Sequence, residues 1–189
     1  MVGGALTFLV GGARSGKNTL AVQMGERYQR DERHGGGVHF IATAEAFDDD
    51  LRERVTRHRA ERPQTWSTAE EPLQLAAAIA NAPLDAFVIV DCLTVWLANL
   101  FVHVIDPQRR AQYGHDMVAA LRERATTTSP VVVVSNEVGL GIHPDTAMGR
   151  DYRDELGRLN QLVAAAADTS LLMVAGRAIR LENAWDLLR

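Results

Sequence analysis

Nineteen of the chain's 20 basic residues are arginine, and the single lysine, Lys17, sits in the run Gly11-Gly12-Ala13-Arg14-Ser15-Gly16-Lys17-Asn18. The spacing is G-x-x-x-x-G-K. Glycines in such a loop let successive backbone N–H groups converge on phosphate oxygens, while the lysine offers a point charge to the β- and γ-phosphates. A helix beginning there adds its positive N-terminal end. The bland alternative is a glycine-rich turn that binds nothing. Against it, a chain that uses arginine almost everywhere else keeps its ammonium where this chemistry asks for lysine. Asn18 departs from the pattern, because that position ordinarily carries a hydroxyl that ligates Mg²⁺. An amide oxygen, or Thr19 in a shifted register, would have to substitute, so the departure bears on metal affinity rather than on phosphate binding.

Further groups fit a nucleotide site. Asp91 ends the apolar run Ala86-Phe87-Val88-Ile89-Val90, and a carboxylate at a strand end beside a phosphate loop is the usual Mg²⁺-orienting partner; a plain strand-end turn is the alternative. Asn18 and Asp91 are therefore the candidate metal ligands. Cys92 next to it reads as a small core residue rather than a nucleophile. The stretch Leu51–Arg62 reads as a helix stopped by Pro63, with Arg54, His58 and Arg62 on one face. Surrounding guanidinium charge disfavours protonation of an imidazole. A neutral His58 facing the α-phosphorus of a bound triphosphate is thus a candidate nucleophile, weighed against an ordinary solvated surface histidine. Asn136 and Glu137 follow the apolar run Val131–Val134 and fall where an open α/β sheet opens its ligand crevice, as candidates to position substrate or accept a proton.

These residues need a frame. The chain has 189 residues, 47% hydrophobic, enough for one compact domain over residues 1–189. With 24 acidic residues against 20 basic, a formal charge of −4 and no basic stripe outside Arg52–Arg62, composition argues against nucleic acid and anionic membrane surfaces. No apolar run is long enough to span a bilayer, and the start carries no export signal, so a cytoplasmic location is expected. One cysteine excludes an internal disulfide, and no Cys/His cluster has structural-zinc spacing. Five apolar runs read as buried strands: Leu6–Val10, Val38–Ala42, Ala86–Val90, Val131–Val134 and Leu171–Val174. Between them lie helix-like stretches, Thr19 to Gln29, Asp49 to Arg62, Leu73 to Asn81, His115 to Arg124 and Arg150 to Ala167. That alternation predicts an α/β fold, a three-layer P-loop (RecA-like) domain with a mostly parallel sheet. Asn99 to Tyr113 is the least readable stretch, with packing a partner subunit or covering a pocket as its expected roles.

Taken in order, the phosphate loop, Phe40-Ile41-Ala42-Thr43-Ala44, Arg54-Val55-x-x-His58-Arg59-x-x-Arg62-Pro63, Trp66-x-Thr68-x-Glu70, Ser135-Asn136-Glu137-Val138-Gly139-x-Gly141-Ile142-x-Pro144 and Arg153-Asp154-x-x-Gly157-x-x-Asn160-Gln161 form a pattern. It resembles the bifunctional adenosylcobinamide kinase/adenosylcobinamide-phosphate guanylyltransferase family of cobalamin biosynthesis, from about Leu6 to Leu181. The resemblance implies two reactions. ATP or GTP phosphorylates adenosylcobinamide; GTP then guanylylates a histidine, and the GMP passes to adenosylcobinamide phosphate. It implies that His58 is the guanylylated residue and that Gly11 to Asn18 hold the triphosphate. It also implies that Ala42, Thr43, Ala44, Arg59, Ala60, Glu61, Arg62, Glu70 and Asp91 contact guanine nucleotide, with Mg²⁺ as cofactor and a homotrimer as the assembly. Within enzymes the alternative is a monofunctional P-loop kinase or NTPase with no covalent intermediate. Outside them it is a nucleotide-gated binding module.

Overall fold

The computed structural model describes residues 5–31, 35–45, 63–127 and 129–188. In chain order the elements are β1 (Leu6–Gly11), α1 (Lys17–Arg30), β2 (Val38–Ala42), β3 (Ser67–Glu70), α2 (Leu75–Asn81), β4 (Phe87–Asp91), α3 (Leu93–His103), α4 (Pro107–Ala125), β5 (Val131–Asn136), α5 (Ala147–Ala166), β6 (Thr169–Val174) and β7 (Arg177–Leu181). The strands form one sheet in the order β3-β2-β4-β5-β1-β6-β7, parallel throughout except for the β6–β7 hairpin.

Alternation along each strand divides the core into two layers. Leu6, Phe8 and Val10 of β1, Val88 and Val90 of β4, and Val131 and Val133 of β5 face a cluster closed by α2, α3, α4 and α5. Leu9, Phe87, Ile89, Val132 and Val134 point the other way, onto Ala21 and Tyr28 of α1. Both faces are covered, so the central strands are apolar without interruption. The register brings the strands' C-terminal ends to one edge: Gly11 is level with Asn136 and Met173, and Ala42 with Glu70 and Asp91. That edge gathers the chemistry-bearing residues.

The five anticipated strands are present, and the structure adds elements that their pattern conceals. β3 is Ser67-Thr68-Ala69-Glu70, an edge strand with no large apolar side chain. β7 is exposed along its length because only β6 pairs with it. The expected helix starting at His115 begins eight residues earlier, at Pro107, where Asp106 accepts a hydrogen bond from the Gln108 N–H at 2.9 Å. Leu93–His103, which enters the least readable stretch at Asn99 and was assigned no element, is a largely buried helix. Asp49 to Arg62, the expected helix bearing His58, lies outside the described residues.

The opaque stretch from Asn99 to Tyr113 turns out to be two helix ends locked by Arg110. Its guanidinium forks onto Glu155 of α5 (Nε to Oε2 2.9 Å, Nη2 to Oε1 2.6 Å). Its Nη1 donates to the carbonyls of Val104 (2.9 Å) and Ile105 (2.8 Å), and the group stacks 4.1 Å from the Phe101 ring centroid. The same stretch lines a cavity of about 200 Å³ with Trp96, Ala111, Gly114 and Leu159. Asn99 and Arg110 are buried within the chain itself. Arg110→Ala leaves Glu155 and two carbonyls without their donor and is expected to lower the unfolding free energy by about 3 kcal/mol in urea titrations. Arg110→Lys recovers less than half of that, because an ammonium cannot make the fork.

Candidate active site

The phosphate loop is shaped by its backbone. Arg14 has φ 55° and Gly16 φ 97°, so the chain curls immediately before α1. Gly16 is the N-cap and offers no side-chain acceptor, so no cap occupies the first-turn N–H groups of α1; the Leu20 N–H is the first to meet a helical carbonyl, Gly16 O at 3.0 Å. Open amides at a helix start are the anion-binding element that the motif requires. The loop is also clamped from outside. A Cβ on Gly11 would come 2.3 Å from the Met173 carbonyl oxygen of β6. At the β6–β7 turn, Ala175 and Gly176 have φ 50° and 73°, and the Gly176 N–H donates to Ser15 O at 2.9 Å.

Lys17 is only 4% exposed. Its Nζ donates to the Gly12 carbonyl at 2.8 Å, back across the loop. Burial pushes the ammonium's pKa below its ordinary value, opposed by the neighbouring Cys92 and Asp91 side chains. A cation desolvated this way, with a carbonyl rather than a carboxylate as its hydrogen-bond acceptor, is poised for an incoming anion.

Asn18 Nδ2 donates to Asp91 Oδ2 at 2.7 Å, so the structure brings the two candidate metal ligands into direct contact. A hydroxyl at position 18 would donate to the carboxylate and offer a lone pair from one atom. The amide divides those tasks: Nδ2 holds Asp91, and Oδ1 is the oxygen left to ligate. The donor set is hard oxygen. That suits a cation such as Mg²⁺, which takes one or two protein oxygens and fills its shell with phosphate oxygens and water. Cys92 is not a candidate nucleophile here, since burial first and then the Asp91 carboxylate push its thiol up to about 12.

The end of β2 is drawn into the sheet edge. Ala42 and Thr43 are buried and Ala44 is half-buried. The Thr43 N–H donates to Asp91 O at 3.1 Å; its Oγ1 accepts from the Cys92 N–H at 2.9 Å and donates to Cys92 O at 2.8 Å. Glu70 is exposed at the end of β3, level with Ala42. On the far side of the loop, the Asn136 N–H donates to Thr94 Oγ1 at 2.8 Å, and its carbonyl accepts from Asn160 Nδ2 at 3.0 Å. The Glu137 N–H donates to Gly11 O at 3.1 Å, which ties this segment to the loop's first residue, and its carboxylate accepts from the Gly139 N–H at 2.6 Å. His58, Arg59, Ala60, Glu61 and Arg62 lie outside the described residues. Sequence reasoning missed the clamp at Ala175–Gly176; its signal is a two-residue spacer containing glycine between β6 and β7, weakened because Arg177 and Arg180 interrupt the second strand.

Residues 7–181 match the family described as cobinamide kinase / cobinamide phosphate guanyltransferase. The chain is 40% identical over 176 residues to the bifunctional adenosylcobalamin biosynthesis protein CobP of Pseudomonas aeruginosa, covering 93% of this chain and 96% of that one. It is 33% identical to the bifunctional adenosylcobalamin biosynthesis protein CobU of Salmonella typhimurium, covering 94% and 99%. Among solved structures, the flagellar accessory protein FlaH of Methanocaldococcus jannaschii superposes with a TM-score of 0.55 at 10% identity, covering 96% of this chain and 80% of that one, a likeness of fold alone.

Lys17→Met replaces a buried cation with an apolar side chain of similar length. Without nucleotide its thermal midpoint is expected to be no lower than the parent's, because the desolvated charge is gone. Its affinity for GTP is expected to fall roughly 10- to 100-fold, the worth of a charged hydrogen-bonding partner. Thermal unfolding and nucleotide titration on the same preparations check both.

Proposed function

The chain belongs to the cobinamide kinase / cobinamide phosphate guanyltransferase family, and on that premise we propose that its one phosphate loop serves two reactions in turn. In the first, the hydroxyl of the aminopropanol arm of adenosylcobinamide takes the γ-phosphoryl group of ATP or GTP. The bond to the leaving diphosphate breaks, and the hydroxyl proton passes to the Glu137 carboxylate, with Asn136 positioning the substrate. In the second, the neutral imidazole of His58 attacks the α-phosphorus of GTP and pyrophosphate leaves. A phosphate oxygen of adenosylcobinamide phosphate then attacks that phosphorus and the P–N bond breaks. Adenosylcobinamide-GDP is formed and the imidazole is restored.

The arrangement that carries this reading is the uncapped start of α1 with Lys17 Nζ lying across the loop on Gly12 O and the Asn18–Asp91 pair beside it. The loop amides and Lys17 bind and orient the triphosphate and offset charge on its β- and γ-oxygens. Mg²⁺, for which Asn18 and Asp91 are the oxygen donors, would neutralise the charge that develops on those phosphates. Ala42, Ala44 and Glu70 are assigned to the nucleotide edge by their place at the ends of β2 and β3, Thr43 to the same edge through the Asp91–Cys92 backbone that it fixes rather than by contact, and Arg59, Ala60, Glu61 and Arg62 by the family motif around His58. The relatives' names, each beginning with "bifunctional", favour two activities over a kinase that forms no covalent intermediate. A homotrimer in the cytoplasm completes the proposal, the assembly to be tested by light scattering.

Incubation with α-labelled GTP and Mg²⁺, followed by denaturation, is expected to leave a label that is acid-labile and base-stable and that vanishes in His58→Ala. An unlabelled parent chain would reduce the proposal to a simple kinase. Asn18→Ser, which merges donor and ligand in one hydroxyl, is expected to raise the kinase rate several-fold more than the rate of histidine labelling. Equal effects on the two would show that Asn18 does not separate them.

A further inference from the structure

Asn99 of α3 is fully buried, and its amide reaches two carbonyls at the site's edge. Nδ2 donates to Thr43 O at 2.7 Å and to Pro72 O at 3.1 Å, while Oδ1 is buried with no partner. An unsatisfied buried acceptor costs stability, and an apolar residue would avoid that cost. Its amide does something an apolar residue cannot: it fixes Thr43 from below. Thr43 in turn is bonded to both polar atoms of the Asp91–Cys92 peptide, its N–H to Asp91 O and its Oγ1 to the Cys92 N–H, and the hydroxyl proton goes on to Cys92 O. One side chain thus sets the backbone that carries the Asp91 carboxylate, and Asn18 holds that carboxylate from the other side.

We propose that Asn99 and Thr43 are positioning residues for metal-dependent nucleotide binding: Asn99 holds Thr43, and Thr43 aims Asp91. Neither touches the metal. Thr43 is fully buried, with its hydroxyl committed on both sides, so its part is played through the backbone of Asp91 and Cys92. Partners one step removed from a ligand commonly change metal affinity 10- to 100-fold when removed. The inference rests on the assignment of Asp91 as a metal ligand, and the test separates the two.

The experiment is titration of the full chain with a fluorescent GDP analogue, once with Mg²⁺ and once with EDTA; the ratio of the two affinities is the metal increment. Thr43→Val and Asn99→Leu are expected to lose most of that increment, about fivefold or more, while their affinities in EDTA stay within about twofold of the parent's. Thr43→Ser, which keeps the hydroxyl, is expected to retain the increment. Folding is checked by thermal unfolding, and Thr43→Val carries the test if Asn99→Leu does not fold. An Asp91→Asn control that keeps its increment overturns the assignment of Asp91 itself. If Asp91→Asn loses the increment while Thr43→Val keeps it, or if Thr43→Val weakens binding equally in Mg²⁺ and EDTA, the positioning role is overturned and the assignment of Asp91 stands.

Discussion

A buried ammonium whose hydrogen-bond acceptor is a loop carbonyl is costly to hold, and much of the surrounding architecture keeps it in place. Lys17 lies across its own loop on Gly12 O, withdrawn from water. A free chain would relieve that by swinging the side chain outward. The packing resists this: the residue opens α1, and α1 is held against the sheet through Ala21 and Tyr28. The loop is braced from the other direction by β6 and the β6–β7 turn, which approach Gly11 and Ser15 closely enough that glycine is required at position 11. The energy that would be recovered by hydrating the cation is instead available when a phosphate arrives.

The sheet's order extends this logic sideways. β1 lies between β5 and β6, so the loop rises from the middle of the edge with Asn136 and Glu137 on one flank and the hairpin turn on the other. β4 and β2 lie beyond β5, and they bring Asp91 and Thr43 to the same edge. Helix α3 is the common backing. Thr94, at its start, holds Asn136, and Asn99, one turn and a half later, holds Thr43. The two sides of the crevice therefore share one buried helix, so their spacing is set by packing rather than by loops.

The phosphate loop was legible because its chemistry is local: eight consecutive residues fix the backbone, the charge and the following helix. The central strands were legible because burial on both faces leaves an unbroken apolar run. β3 and β7 were not, because edge strands lack that signature; Ser67-Thr68-Ala69-Glu70 is read as a strand only by the neighbour it pairs with. Helix α3 was hidden for the opposite reason, since Leu93–His103 is apolar almost all round and shows little periodicity. The pairing of Asn18 with Asp91 spans 73 positions, and nothing local announces it, although each residue had been singled out separately. Asn99 carried no signal, because a lone asparagine in an apolar run gives its purpose away only through the two carbonyls it meets.

That one cradle feeds both transfers is the centre of this account. The most direct test is covalent transfer of label from α-labelled GTP to a folded Lys17→Met chain in which His58 is intact. A shared cradle predicts labelling reduced to background at GTP concentrations that label the parent fully. Labelling at the parent's rate would mean that the histidine draws its guanylyl group from a nucleotide bound elsewhere, and would contradict the account.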